Sequence, residues 1–109
     1  MHELAITQSV VDAITERTSG ARVTLVRLDI GKLSGVVPEA VAFCFELVAD
    51  GTPLHAARLE INEPAGRARC RSCAAEFGLV QFILLCPCGS ADVEVRSGQE
   101  LAIRSVEVA

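Results

Sequence analysis

At 109 residues, with a net charge of −4 and half its residues apolar, the chain has the size of one ordinary domain, and any second unit within it must be small and held by something besides a large core. Its ten Lys and Arg are scattered, which argues against a phosphate-tracking surface and so against nucleic acid as a partner. No apolar run approaches the ~18 residues of a membrane span, and the start lacks the basic segment and cleavage site of a secretory signal. The chain is therefore read as cytoplasmic, where its five Cys are expected as thiols or metal ligands rather than disulfides.

Residues Leu4 to Thr18 form the first expected helix, with Ile6, Val10, Val11 and Ile14 at helical spacing and Gln8, Asp12, Glu16 and Arg17 turned to water. Gly20 follows as a stop. The β-branched, roughly alternating stretch Arg22 to Ile30 reads as a strand. Two Gly and then Pro38, a residue suited to the first turn of a helix, introduce a second helix running to Ala49, with Val41, Phe45 and Val48 on one side. Alternation returns from Ala57 to Glu63 and ends at Pro64 and Gly66. From Arg67 to Ser90 the periodicity weakens and four Cys appear. Val93–Val95 and Leu101–Val108 resume the strands, with "RSGQ" between them as a hairpin turn.

This order predicts an α+β fold: two helices packed on a small antiparallel sheet, with an inserted zinc-ribbon-like module of four cysteines. The expected division is a discontinuous unit of residues 1–66 and 91–109, and a knuckle unit of residues 67–90.

Within the knuckle unit, Cys70 and Cys73 are spaced C-x2-C, and Cys86 and Cys88 are spaced C-x-C. Four thiolates from two close pairs can surround Zn(II) tetrahedrally at ~2.3 Å. A structural zinc contributes on the order of 10–16 kcal/mol in zinc-finger peptides, enough to fold so small a segment. The second pair is one residue short of the usual knuckle, and Pro87 between its members has no N–H to turn toward a sulfur, so its geometry must differ. A redox pair, a labile site and a site completed by an outside ligand are the other readings of these thiols. Cys44, between Phe43 and Phe45, reads as a small buried apolar residue. His55 has no acidic or Cys neighbour in sequence and reads as surface.

The first three residues, Met1, His2 and Glu3, suggest a second metal site. The amine of Met1, the amide nitrogen of His2 and its imidazole can close two small chelate rings around one ion, with the Glu3 carboxylate near enough to be a fourth donor. Such donors in a tetragonal array suit Ni(II) or Cu(II). The competing reading is a solvated His beside a Glu that simply favours the helix dipole.

The combination is more specific than its parts. "MHEL" at the start, "QSVV" in the first helix, "VRLDIGKLSGVVPEA" in the middle, "CRSC" followed by "EF", and "VEVRSGQELAIRSVEV" at the end resemble the HypA/HybF family of hydrogenase nickel-insertion accessory proteins over nearly the whole chain. The resemblance implies a nickel metallochaperone and not an enzyme. Ni(II), held as transferable cargo by Met1, His2 and Glu3, would pass to the [NiFe]-hydrogenase large subunit precursor, and a structural zinc would sit on Cys70, Cys73, Cys86 and Cys88. It further implies a GTPase nickel-insertion accessory protein as partner, and it allows a homodimer. The chain departs from the family pattern at Cys86-Pro87-Cys88, where C-x2-C is usual, and at Ala74, where Gly is frequent. The alternative is a zinc-ribbon protein-interaction module without a transferable metal; a thiol redox enzyme using Cys86 and Cys88 lacks a base or cofactor motif.

Overall fold

The computed structural model describes residues 2–109. Helix α1 spans Glu3–Arg17, and its buried residues Thr7, Val11 and Ile14 recur one and two turns apart. It ends where Gly20, at φ +75°, donates its N–H to the Thr15 carbonyl, a left-handed stop that glycine adopts without a Cβ clash. Strand β1 (Val23–Ile30) follows, and helix α2 (Pro38–Ala49) starts on Pro38 and buries Val41, Phe45 and Ala49. Strand β2 (Arg58–Asn62) completes a β-α-β unit.

The crossover through α2 makes β1 and β2 parallel, with Leu25 opposite Arg58 and Asp29 opposite Asn62, as a helix between two strands of one sheet requires. Strand β6 (Leu101–Val108) runs antiparallel on the other side of β1, giving the order β2-β1-β6. Thus two helices do pack on a small sheet, and one of its two pairings is parallel. Val11 and Ile14 of α1, Val41 and Phe45 of α2, and Val26 and Leu28 of β1 share one core.

The second sheet is antiparallel, with order β4-β3-β5: β3 (Gly66–Cys70), β4 (Glu76–Leu79) and β5 (Val93–Ser97). The stretch "RSGQ" does not form the expected hairpin, because the strands on either side of it lie in different sheets. β5 pairs with β3, Cys70 facing Val93, while β6 pairs with β1. Gly98, at φ +104°, turns the chain from one sheet into the other. The cysteine sheet has a small interior: Cys70, Cys86 and Val93 form one cluster with Phe77 packed against it, and Ala68 and Leu79 are also buried. No described helix is long and apolar enough to cross a membrane.

Candidate metal centre

The turn from β3 into β4 carries the first cysteine pair. Ala74 donates its N–H to the Cys70 carbonyl at 2.9 Å, and the Ala75 carbonyl accepts the Cys70 N–H at 2.9 Å, so the backbone curls around Cys70. Cys73 then donates its N–H to Cys70 Sγ at 3.5 Å. The second pair repeats this pattern one residue shorter. Gly89 donates to the Cys86 carbonyl at 2.8 Å, the Ser90 carbonyl accepts the Cys86 N–H at 2.9 Å, and Cys88 donates to Cys86 Sγ at 3.4 Å. Pro87 therefore does not deprive the sulfur of an N–H: Cys88 supplies it two residues on, where Cys73 does so three residues on.

Bonds that no local spacing reveals join the two turns. Ser72 Oγ and Ser90 Oγ are 2.9 Å apart. Arg71 donates its backbone N–H to the Asp92 carbonyl and its guanidinium to Asp92 Oδ1, both at 2.9 Å.

The four Sγ atoms lie within 4.8 Å of one another. Cys70 and Cys88 are 3.8 Å apart at sulfur, and Cys73 and Cys86 are 3.6 Å apart. A tetrahedron with ligands ~2.3 Å from its centre has edges of about 3.8 Å, so the donor set fits one metal of that size. Cys70 and Cys86 are buried and Cys73 and Cys88 exposed.

The electrostatics point the same way. Cys70 is lowered from 9.0 to about 6, chiefly by the Cys73 N–H, with burial opposing and the Ser72 N–H adding. At Cys86 the Cys88 N–H also lowers the pKa, yet burial and the neighbouring Cys88, Cys73 and Cys70 thiols outweigh it and push the group up to about 12. One thiol is ready to ionise while its neighbour is held protonated, as crowded sulfurs behave when their charge is uncompensated; a bound cation removes that conflict.

At the other end, His2 is exposed and occupies the position before α1, its carbonyl accepting the Ile6 N–H at 3.0 Å. Glu3, half-buried in the first turn, reaches across to α2: its Oε2 accepts the Val37 N–H at 3.2 Å. That bond, followed by Glu3's own backbone N–H, holds the carboxyl below its ordinary 4.5. Met1 lies outside the described residues. Cys44 is half-buried on α2 and His55 is exposed in the turn after it, so neither joins the four-cysteine cluster.

A family model described as "Hydrogenase/urease nickel incorporation, metallochaperone, hypA" matches residues 1–108. The chain belongs to the HypA family. It is 50% identical over 109 residues to a hydrogenase maturation factor HypA from Geotalea uraniireducens, with 99% of each chain covered. It is 46% identical over 108 residues to the protein of that name from a Nostoc species, covering 99% of this chain and 96% of the relative. The fold is similar to the solution structure of the Ni metallochaperone HypA from Helicobacter pylori, at a TM-score of 0.68 and 21% identity over 99% of this chain and 97% of that one.

Proposed function

We propose that the protein is a nickel metallochaperone of hydrogenase maturation and that it carries no catalytic activity of its own. On this reading Met1 as a free amine, His2 and Glu3 hold Ni(II) as cargo in an open site and release it to the large subunit precursor of a [NiFe]-hydrogenase, with a GTPase accessory protein assisting. Family membership over residues 1–108 is the observation that carries this reading. The exposure of His2 at the start of α1 supports it, because a cargo donor must be reachable by the acceptor. Because Glu3 Oε2 is engaged by Val37, the carboxylate would reach the ion most simply through Oε1.

The same proposal assigns Zn(II) to Cys70, Cys73, Cys86 and Cys88, where it would act as a structural cross-link. The sulfur spacing and the small apolar core of the cysteine sheet support this assignment. Residues 1–66 and 91–109 then form the nickel-handling part and residues 67–90 the zinc part, with β5 lending the latter its third strand. The stretch from Val80 to Leu85 is exposed and, apart from Gln81, apolar, Val80 to 95%, a surface that suits a protein partner better than a nucleic acid.

Metal content per chain combined with X-ray absorption on tag-free protein tests the proposal. One zinc in a sulfur environment and one nickel in a nitrogen and oxygen environment are expected. Nickel bound by sulfur, or no nickel at all, would overturn it.

A further inference from the structure

Two segments carry the chain between the sheets, 63–65 into β3 and 98–100 into β6, and the 31–35 loop after β1 is bonded to both. Gly31 donates its N–H to the Glu100 carbonyl at 2.8 Å, Lys32 to the Pro64 carbonyl at 3.0 Å and Leu33 to the Gly98 carbonyl at 2.7 Å. Ser97 Oγ donates to the Ala65 carbonyl at 2.9 Å, and Gly98 donates its N–H to Glu100 Oε1 at 2.6 Å.

Three glycines meet at this crossing with no room between them. A Cβ on Gly31 would overlap the Gly98 carbonyl, and one on Gly98 would stand 2.6 Å from Gly66 Cα. On Gly66 it would stand 2.5 Å from the Leu79 carbonyl oxygen and 2.7 Å from Leu33 Cδ1. The half-buried Leu33 side chain fills the space beside Gly66, the first residue of β3, and Gly98, the first residue of the second crossing segment. Flexible linkers are solvated and make few contacts across the boundary; this crossing is close-packed and hydrogen-bonded in three directions.

We propose that Gly31, Gly66, Gly98 and Leu33 form an interlock that makes the cysteine sheet and the helix-bearing sheet one rigid body, its orientation set by the glycines' close approach with the Leu33 side chain wedged beside them rather than by a hinge. The molecule is 53 Å along its longest axis and 22 Å along the next, so a partner that grips the cysteine sheet also fixes the direction in which α1 and its N-terminal end are presented. The interlock requires no metal at the N-terminus and stands independently of the nickel proposal.

The test uses the zinc-loaded full chain and backbone ¹⁵N relaxation with residual dipolar couplings. One diffusion tensor and one alignment tensor are expected to describe the amides of both sheets. Leu33→Ala removes the wedge while keeping every backbone bond, and Gly98→Ala drives a Cβ into Gly66. Each is expected to split the tensors and shorten the correlation time of the cysteine sheet while α1 and β1 keep their folded spectrum. If Gly98→Ala does not fold, Leu33→Ala decides alone. A wild-type chain that already needs two tensors overturns the proposal, and so does a Leu33→Ala chain that still needs only one.

Discussion

Glu3 Oε2 accepts a hydrogen bond from the Val37 N–H at 3.2 Å, tying the first turn of α1 to the residue that begins α2. Val37 has no polar side chain with which to cap its own helix, and Pro38 has no N–H. The carboxylate thus supplies negative charge at the α2 N-terminus from another helix. Because the folded carboxyl lies below its ordinary 4.5, the tie contributes stability that is fully present above that value and is lost as pH falls through the lowered one. An acid titration followed at the Val37 amide should show its transition below 4.5 in the wild type and none in Glu3→Ala. Glu3→Gln, which keeps an acceptor oxygen, should hold the amide near its wild-type shift at neutral pH. A wild-type transition above 4.5 would contradict the tie.

Removing the metal should unfold one sheet and spare the other. The helix-bearing sheet has a continuous aliphatic core, whereas the cysteine sheet buries, besides two of its thiols, only the side chains of Ala68, Leu79 and Val93. After strong chelation, amides of residues 66–97 should collapse to random-coil shifts while those of α1, β1 and α2 stay dispersed. Cys70→Ser or Cys86→Ser should do the same without chelator, and Cys44→Ser should retain both metal and spectrum. A cysteine sheet that stays dispersed without metal would refute the cross-link.

The two cysteine turns make the same demand on the residue after each pair, and the chain meets it with different residues. Ala74 sits at φ +64° and Gly89 at φ +93°, the left-handed region where a Cβ costs roughly 1–2 kcal/mol. Gly89→Ala should destabilise the metal-loaded chain by about 1 kcal/mol. Ala74→Gly should stabilise it by roughly 0.5 kcal/mol, the strain relief being partly offset by the freer unfolded chain. Chemical denaturation of the zinc-loaded proteins measures both; changes of the reverse sign would show that these backbone conformations are not held.

Leu54 lies in the turn between α2 and β2, yet it is fully buried in the helix-side core. Leu54→Ala should cost about 2–5 kcal/mol, as for other filled core positions, read as a drop in the denaturation midpoint. A loss below about 1 kcal/mol would place Leu54 at the surface.

That turn also shows where sequence reading stops. The two helices, β1, β2 and β6 are legible because their apolar residues recur at helical or alternating spacing over long runs. Leu54 is one apolar residue among Gly, Thr, Pro and His, and only the packed core shows that it turns inward. β3 alternates strictly, with Gly66, Ala68 and Cys70 inside and Arg67 and Arg69 outside, but its inward residues are too small to register as a hydrophobic face. The partner of β5 escapes local reading because β3 lies far back along the chain, on the other side of the cysteine turns, and the pairing leaves no mark near "RSGQ". At the site, cysteine spacing is enough to find the cluster, while Arg71–Asp92, Ser72–Ser90 and the bond from Val37 to Glu3 bridge positions that nothing in the local sequence connects.

The most direct measurement of the central claim is a nickel titration by calorimetry on three zinc-loaded proteins: the native chain with a free Met1 amine, His2→Ala, and a chain extended before Met1. The native chain is expected to bind one equivalent of nickel reversibly, and both altered chains to lose that binding with their zinc intact. Equal nickel affinity in all three would place the cargo elsewhere and contradict the account.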